Sequence, residues 1–176
     1  MKFRDVPQYP RAHYEVHASL SYIAKMVADH EADYGLNLDP DFQRGHVWTM
    51  PQRTAFMEYM LHGGEGGMVL CFNHCNWERP TGPRDVYEIL DGKQRLTTAL
   101  MFLRNEVPVL GGALFRDFED RLGPGTFGFK WRIFALPTRA DVLRYYLAMN
   151  AGGTPHSPEE IARVRRLLAA EEGRGR

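Results

Sequence analysis

Two periodicities run through the chain. Leu20, Ile23, Ala24 and Val27 fall on one helical face behind Ser19, which predicts a capped helix over 20–31. Leu36 to Leu38 is a short apolar segment closed by Asp39-Pro40. Pro51 stands where a second helix begins; Phe56, Tyr59, Met60 and Leu61 follow, and His62-Gly63-Gly64 stops it. Met68 to Phe72 and Asp85 to Leu90 read as buried strands, and the turn-forming NHCNWERPTGPR between them predicts a hairpin with a long loop. Asp91-Gly92 ends the second strand, and KQRLTTALMFLRN then takes helical spacing through Leu96, Leu100 and Leu103. Phe129 to Phe134 alternates as a strand, and further helices are predicted at about 139–149 and 158–170. Strands and helices are interspersed without a regular βαβ run, so the expected class is α+β. One domain over 1–170 is expected, with 171–176 as a frayed tail.

Composition changes this picture little. The chain has 176 residues, 44% hydrophobic and 25% charged, which excludes a disordered tract. No run of about 18 apolar residues occurs and the first residues have no signal-peptide character, so a cytoplasmic protein with no membrane partner is expected. The 22 basic and 22 acidic side chains cancel, which gives no bulk pull toward nucleic acid. Eighteen of the basic residues are Arg, the better fork for phosphate, although a genome rich in G and C gives the same bias. Cys71 and Cys75 are the two cysteines, which excludes a disulfide framework. With His62 and His74 they lack the paired C-x-x-C spacing of a zinc site, and no metal is assigned to them.

The most informative stretch is Tyr87-Glu88-Ile89-Leu90-Asp91-Gly92-Lys93-Gln94-Arg95-Leu96-Thr97-Thr98. A buried strand meets a glycine turn and a helix opens at once, with Lys93 and Arg95 in its first turn. The first amides of a helix lack intrahelical acceptors and the macrodipole is positive there, so two cations cost stability unless an anion is bound. That points to a phosphate site at the helix start, with Gly92 letting backbone approach the anion. Asp91 can cap the helix, orient a water or hold a metal through the phosphates; the simpler alternative is an ordinary turn with solvated cations. No G-x-x-x-x-G-K-[ST] loop is present. A second candidate is DPDFQRGHVW, residues 39–48, a loop whose Gln43 and Arg44 can reach an anion while Phe42 and Trp48 anchor the core. In a third, NAGGTPHSPEE, Ser157 caps the last helix with Pro158 at its first position, and Asn150 is a helix end or a loop-orienting residue.

In this order, DPDFQRGHVW, ILDGKQRLTTAL and NAGGTPHSPEEI resemble the N-terminal domain family of GmrSD-type restriction enzymes over residues 19–170. That family carries a Gln-Arg-x-x-x-Trp element, an Asp-Gly-Gln-Gln-Arg element and a late Asn-x-x-Gly-x-Pro-Leu-Ser element. Lys93 replaces the first Gln of the second, and His156 stands where Leu is usual. The family is similar to the ParB/sulfiredoxin superfamily, a small mixed sheet flanked by helices whose glycine-x-x-arginine turn binds nucleotide phosphates. The resemblance implies that Gly92, Gln94 and Arg95 form such a turn, with Gln43 and Arg44 across the same pocket. No H-N-H constellation like the cutting module of GmrSD-type proteins follows these segments, and Gly92-Lys93-Gln94-Arg95 lacks the cysteine of sulfiredoxin chemistry.

Three functions of different class follow. In the first, a nucleoside triphosphate is bound by Gln43, Arg44, Gly92, Lys93, Gln94, Arg95 and Thr97 and hydrolysed. Asp91, Arg44 and Arg95 are then the catalytic residues, and Mg²⁺ accompanies the nucleotide. In the second, the same cations grip DNA backbone phosphate, as a DNA binder or nuclease. In the third, the domain is a catalytically silent interaction factor of phage or plasmid origin. A homodimer is compatible with each.

Overall fold

The computed structural model describes residue 2 and residues 5–43, 45, 47–81, 85–120, 127–150 and 158–174. Four strands, β1 (Tyr14–Ser19), β2 (Val69–His74), β3 (Tyr87–Asp91) and β4 (Gly128–Phe134), form one sheet in the order β1-β4-β2-β3. The β2–β3 hairpin and the β1–β4 pair are antiparallel, and β2 and β4 run parallel at the centre. The fold is α+β, as the pattern predicts. Helices α1 (Leu20–Tyr34), α2 (Met50–Leu61), α3 (Lys93–Leu103), α4 (Arg139–Asn150) and α5 (Pro158–Arg174) flank the sheet.

Alternation along each strand divides the core between the two faces. Leu70 and Phe72, Tyr87 and Ile89, and Phe129, Trp131 and Ile133 join Leu20, Ile23, Met57, Met60, Leu96 and Phe102 from α1, α2 and α3. Their opposite-facing neighbours Cys71, Leu90 and Phe134 pack with Val142, Leu143 and Tyr146 of α4 and Val164 of α5. Phe72 stacks on Trp131 at 3.8 Å between ring centroids, and the Trp131 indole donates to the Tyr87 hydroxyl at 3.1 Å. The α4–α5 layer covers only part of its face. Toward β1 that face carries Glu15, His17, Lys130 and Arg132, which are partly exposed.

Several expectations change in detail. β1 has no counterpart in the sequence reading. α5 runs to Arg174, so residues 171–174 are helical rather than frayed; Arg144 holds Glu172 at 2.7 Å and Arg174 holds Glu171 at 2.9 Å. Ser19 precedes α1 without a side-chain capping bond. Ser157 and His156 lie outside the described residues. Among the described residues no helix is long and apolar enough to cross a membrane.

Candidate functional site

The turn between β3 and α3 depends on Gly92, whose φ of +97° is left-handed. A Cβ there would overlap the Leu70 Cδ2 methyl and sit 3.4 Å from the Leu70 Cα, so only glycine lets the turn lie this close to β2. The N-cap residue of α3 is Gly92 itself, which has no side chain to cap the first turn. Asp91, for which capping was one of three expected roles, accepts from Arg95 Nη2 at 2.6 Å. The other guanidinium nitrogen, Nη1, donates to the Gly67 carbonyl just before β2. Lys93 pairs with Asp39, and that hydrogen bond holds the Asp39 carboxyl below the usual carboxylate range. The cost of two cations at this helix end is therefore offset internally. Both carboxylates are solvent-facing, with side-chain exposures of 81% for Asp39 and 54% for Asp91, against 10% for Lys93 and 17% for Arg95.

Gln94 links the two motif segments. Its carboxamide oxygen accepts from the amides of Val47 and Trp48 at 3.1 and 3.2 Å, and its nitrogen donates to the Gly45 carbonyl at 3.1 Å. Gln43 donates to the Ile89 carbonyl at 2.6 Å, fastening the loop to β3. Arg163 of α5 donates to the carbonyls of Asp41 and Phe42 at 2.7 and 3.0 Å, while Arg139 of α4 holds the Asp41 carboxylate at 2.5 Å. Phe42 is fully buried, and Trp48 packs edge-on against Phe56. The described residues of the 39–48 loop and the turn at 92–95 are thus one assembly. The two glutamines, expected as ligands, spend their amides on backbone. Arg44 lies outside the described residues. Thr97, further along α3, is partly exposed, and Asn150 donates to the Tyr146 carbonyl at 2.7 Å inside α4.

Two parts of the site escaped the sequence reading. The run His62-Gly63-Gly64-Glu65-Gly66-Gly67 is more than a helix stop. A Cβ at Gly64 would overlap the Tyr59 ring, and the Tyr59 hydroxyl accepts the Gly66 amide at 2.7 Å, so the loop folds flat over that ring and presents Gly67 to Arg95. The second is Glu88, 4% exposed on β3. Burial pushes its carboxyl up to about 6, against a lowering influence from Arg139. Cys71 is likewise pushed up to about 11 by burial, far from a reactive thiolate.

The model of the GmrSD restriction endonuclease N-terminal domain matches residues 23–135, well over half of the chain. The chain belongs to that family. The match contains the 39–48 loop, the glycine loop and the β3–α3 turn, while the third motif segment of this GmrSD N-terminal domain lies beyond its end. Membership ties the domain to restriction-enzyme-related function. No curated protein and no solved structure matches it.

Proposed function

We propose that this GmrSD N-terminal domain binds a nucleoside triphosphate at the start of α3 and hydrolyses it. The observation that carries the reading is the Gln94 clamp, which fastens Gly45, Val47 and Trp48 to a helix start whose N-cap residue is a glycine. Lys93 and Arg95 are already ordered there, and each pairs with an exposed carboxylate that a phosphate can replace. A compact triphosphate suits this better than a long polyanion, because among the described residues the two cations are matched one for one by Asp39 and Asp91 and supply no basic stripe.

Hydrolysis forms a bond from a water oxygen to the γ-phosphorus as the bond to the β–γ bridging oxygen breaks. The electron pair stays on the leaving oxygen, where the sequence assigns Arg44, and the water proton passes to Asp91 once Arg95 has turned to phosphate. Among the described residues no three His, Cys, Asp or Glu side chains gather as a metal cluster. A Mg²⁺ ion accompanying the nucleotide would rest on Asp91 or Asp39 together with phosphate oxygens and water, which is its usual mode.

Calorimetric titration of the wild type and Arg95→Ala with ATP, GTP, CTP and UTP tests the reading. The wild type is expected to bind at least one of them, and Arg95→Ala to lose that binding and roughly 10²–10³ in hydrolysis rate, as when one preorganised donor is removed. No heat with any of the four, with or without Mg²⁺, would refute it.

A further inference from the structure

Besides the turn at α3, the domain has a cleft of about 460 Å³ between the glycine loop and the starts of β2 and β4, lined by Met68, Val69, Phe127, Glu65, His17 and Lys130. We infer that this cleft receives the base and sugar of the nucleotide whose phosphates lie at α3; the inference rests on the nucleotide reading above.

Position is the first argument. In the sheet register Asp91 lies opposite Cys71, Val69 opposite Lys130, and Lys130 opposite His17. The end of β3, the starts of β2 and β4 and the end of β1 therefore share one rim. Arg95 holds the Gly67 carbonyl, and the next two residues, Met68 and Val69, line the cleft. The phosphate turn and the cleft are thus neighbours across a single strand. From β3 to β4 is two strand spacings, about 10 Å, which suits a nucleotide stretched from its phosphates to its base.

The second argument is chemical. Small-molecule sites are clefts of roughly 300–1,000 Å³ with an apolar lining and a few placed polar groups. Met68, Val69 and Phe127 offer an apolar surface for a base, and His17 an imidazole ring. Glu65 accepts from a base amine or a sugar hydroxyl, and Lys130 donates to a ring carbonyl or ring nitrogen. Lys130 is only loosely engaged, 3.8 Å from Glu15, and 55% of its side chain is exposed.

The test compares whole nucleotides with their phosphates alone on the full chain, titrating ATP, GTP, CTP, UTP and inorganic tripolyphosphate. Val69→Trp fills the cleft from the partly open sheet face. It is expected to weaken the tightest nucleotide at least tenfold and to leave tripolyphosphate affinity within twofold, whereas Arg95→Ala weakens both. If Val69→Trp loses its fold by circular dichroism, the surface pair His17→Ala/Lys130→Ala replaces it, with a several-fold loss expected for the nucleotide alone. Nucleotide affinity untouched by the cleft variant, or lost equally for both ligands, overturns the inference while the phosphate turn stands. Failure of both nucleotide and tripolyphosphate to bind the wild type removes the nucleotide reading itself.

Discussion

Replacing Gln94 with alanine separates a scaffolding glutamine from a ligand-binding one. The side chain makes three hydrogen bonds to the 45–48 segment, at 3.1, 3.2 and 3.1 Å. Each contributes about 0.5–1.5 kcal/mol net, and the partial solvent access of Gln94 and the loop favours the lower values, for a sum of about 2 kcal/mol. Alanine is a slightly better helix former than glutamine and returns a few tenths of a kcal/mol. The loss falls on the loop, since α3 is anchored independently by the buried Leu96, Ala99 and Phe102. Hydrogen exchange of the Val47 and Trp48 amides should therefore accelerate roughly tenfold to thirtyfold, while amides in the core strands change little. Exchange read on peptides spanning 45–49 measures this. Gln94→Glu keeps an oxygen for the two amides but sets a carboxylate against the Gly45 carbonyl, so it should recover only part of the protection. Unchanged exchange in Gln94→Ala together with lost nucleotide affinity would refute the clamp and make Gln94 a direct ligand.

Gly92→Ala should destabilise by about 3 kcal/mol: a left-handed φ costs an L-residue roughly 1–2, and displacing the buried Leu70 methyl about as much again. That is a fall of about 6–12 °C in Tm, and a fall under about 3 °C contradicts it. His30 accepts from the Tyr87 hydroxyl through Nδ1 at 2.8 Å, His74 accepts the Asn76 amide at 3.2 Å, and burial lowers both pKa values. A depressed histidine contributes stability that is full above its unfolded value near 6.5 and is lost as pH falls, so the urea midpoint should drop between pH 7 and 5 and His74→Phe should flatten that drop. Glu88 acts in the opposite sense: raised from 4.5 to about 6, it penalises the fold progressively above pH 4.5 and fully above pH 6. Glu88→Gln should therefore gain about 1–2 kcal/mol at pH 7.5, a gain that vanishes toward pH 4.5; a loss at pH 7.5 would show that the carboxylate is needed where it stands.

Most elements were legible because their signals are local. Pro51 and the glycines after His62 bracket α2, and Asp91-Gly92 marks the strand-to-helix turn where the structure has it. β1 was not legible, since Tyr14–Ser19 gains its strand character only by pairing with β4, more than a hundred residues away. The candidate site was half legible. The sequence singled out the residues of both motif segments, but the roles of Gln43 and Gln94 follow from which backbone groups they meet across the fold, and no spacing rule carries that information. Dipole reasoning at α3 leaves Lys93 and Arg95 unmatched: Asp39, the partner of Lys93, is distant in sequence, and Asp91 reads as a cap, water-orienting group or metal holder rather than as the ion-pair partner of Arg95. The glycine run at 63–67 reads as mere punctuation because its local pattern carries no sign that it packs on the Tyr59 ring.

Asn37 bonds to β3 on both sides, its amide to the Tyr87 carbonyl and its carbonyl to the Ile89 amide, so the chain itself seals that margin of the sheet. Strand addition, whether by a second copy or by a neighbouring polypeptide, is left with the outer edge of β1. An assembly built by sheet extension would thus place its junction on the far side from α3 and leave the β3–α3 turn unobstructed.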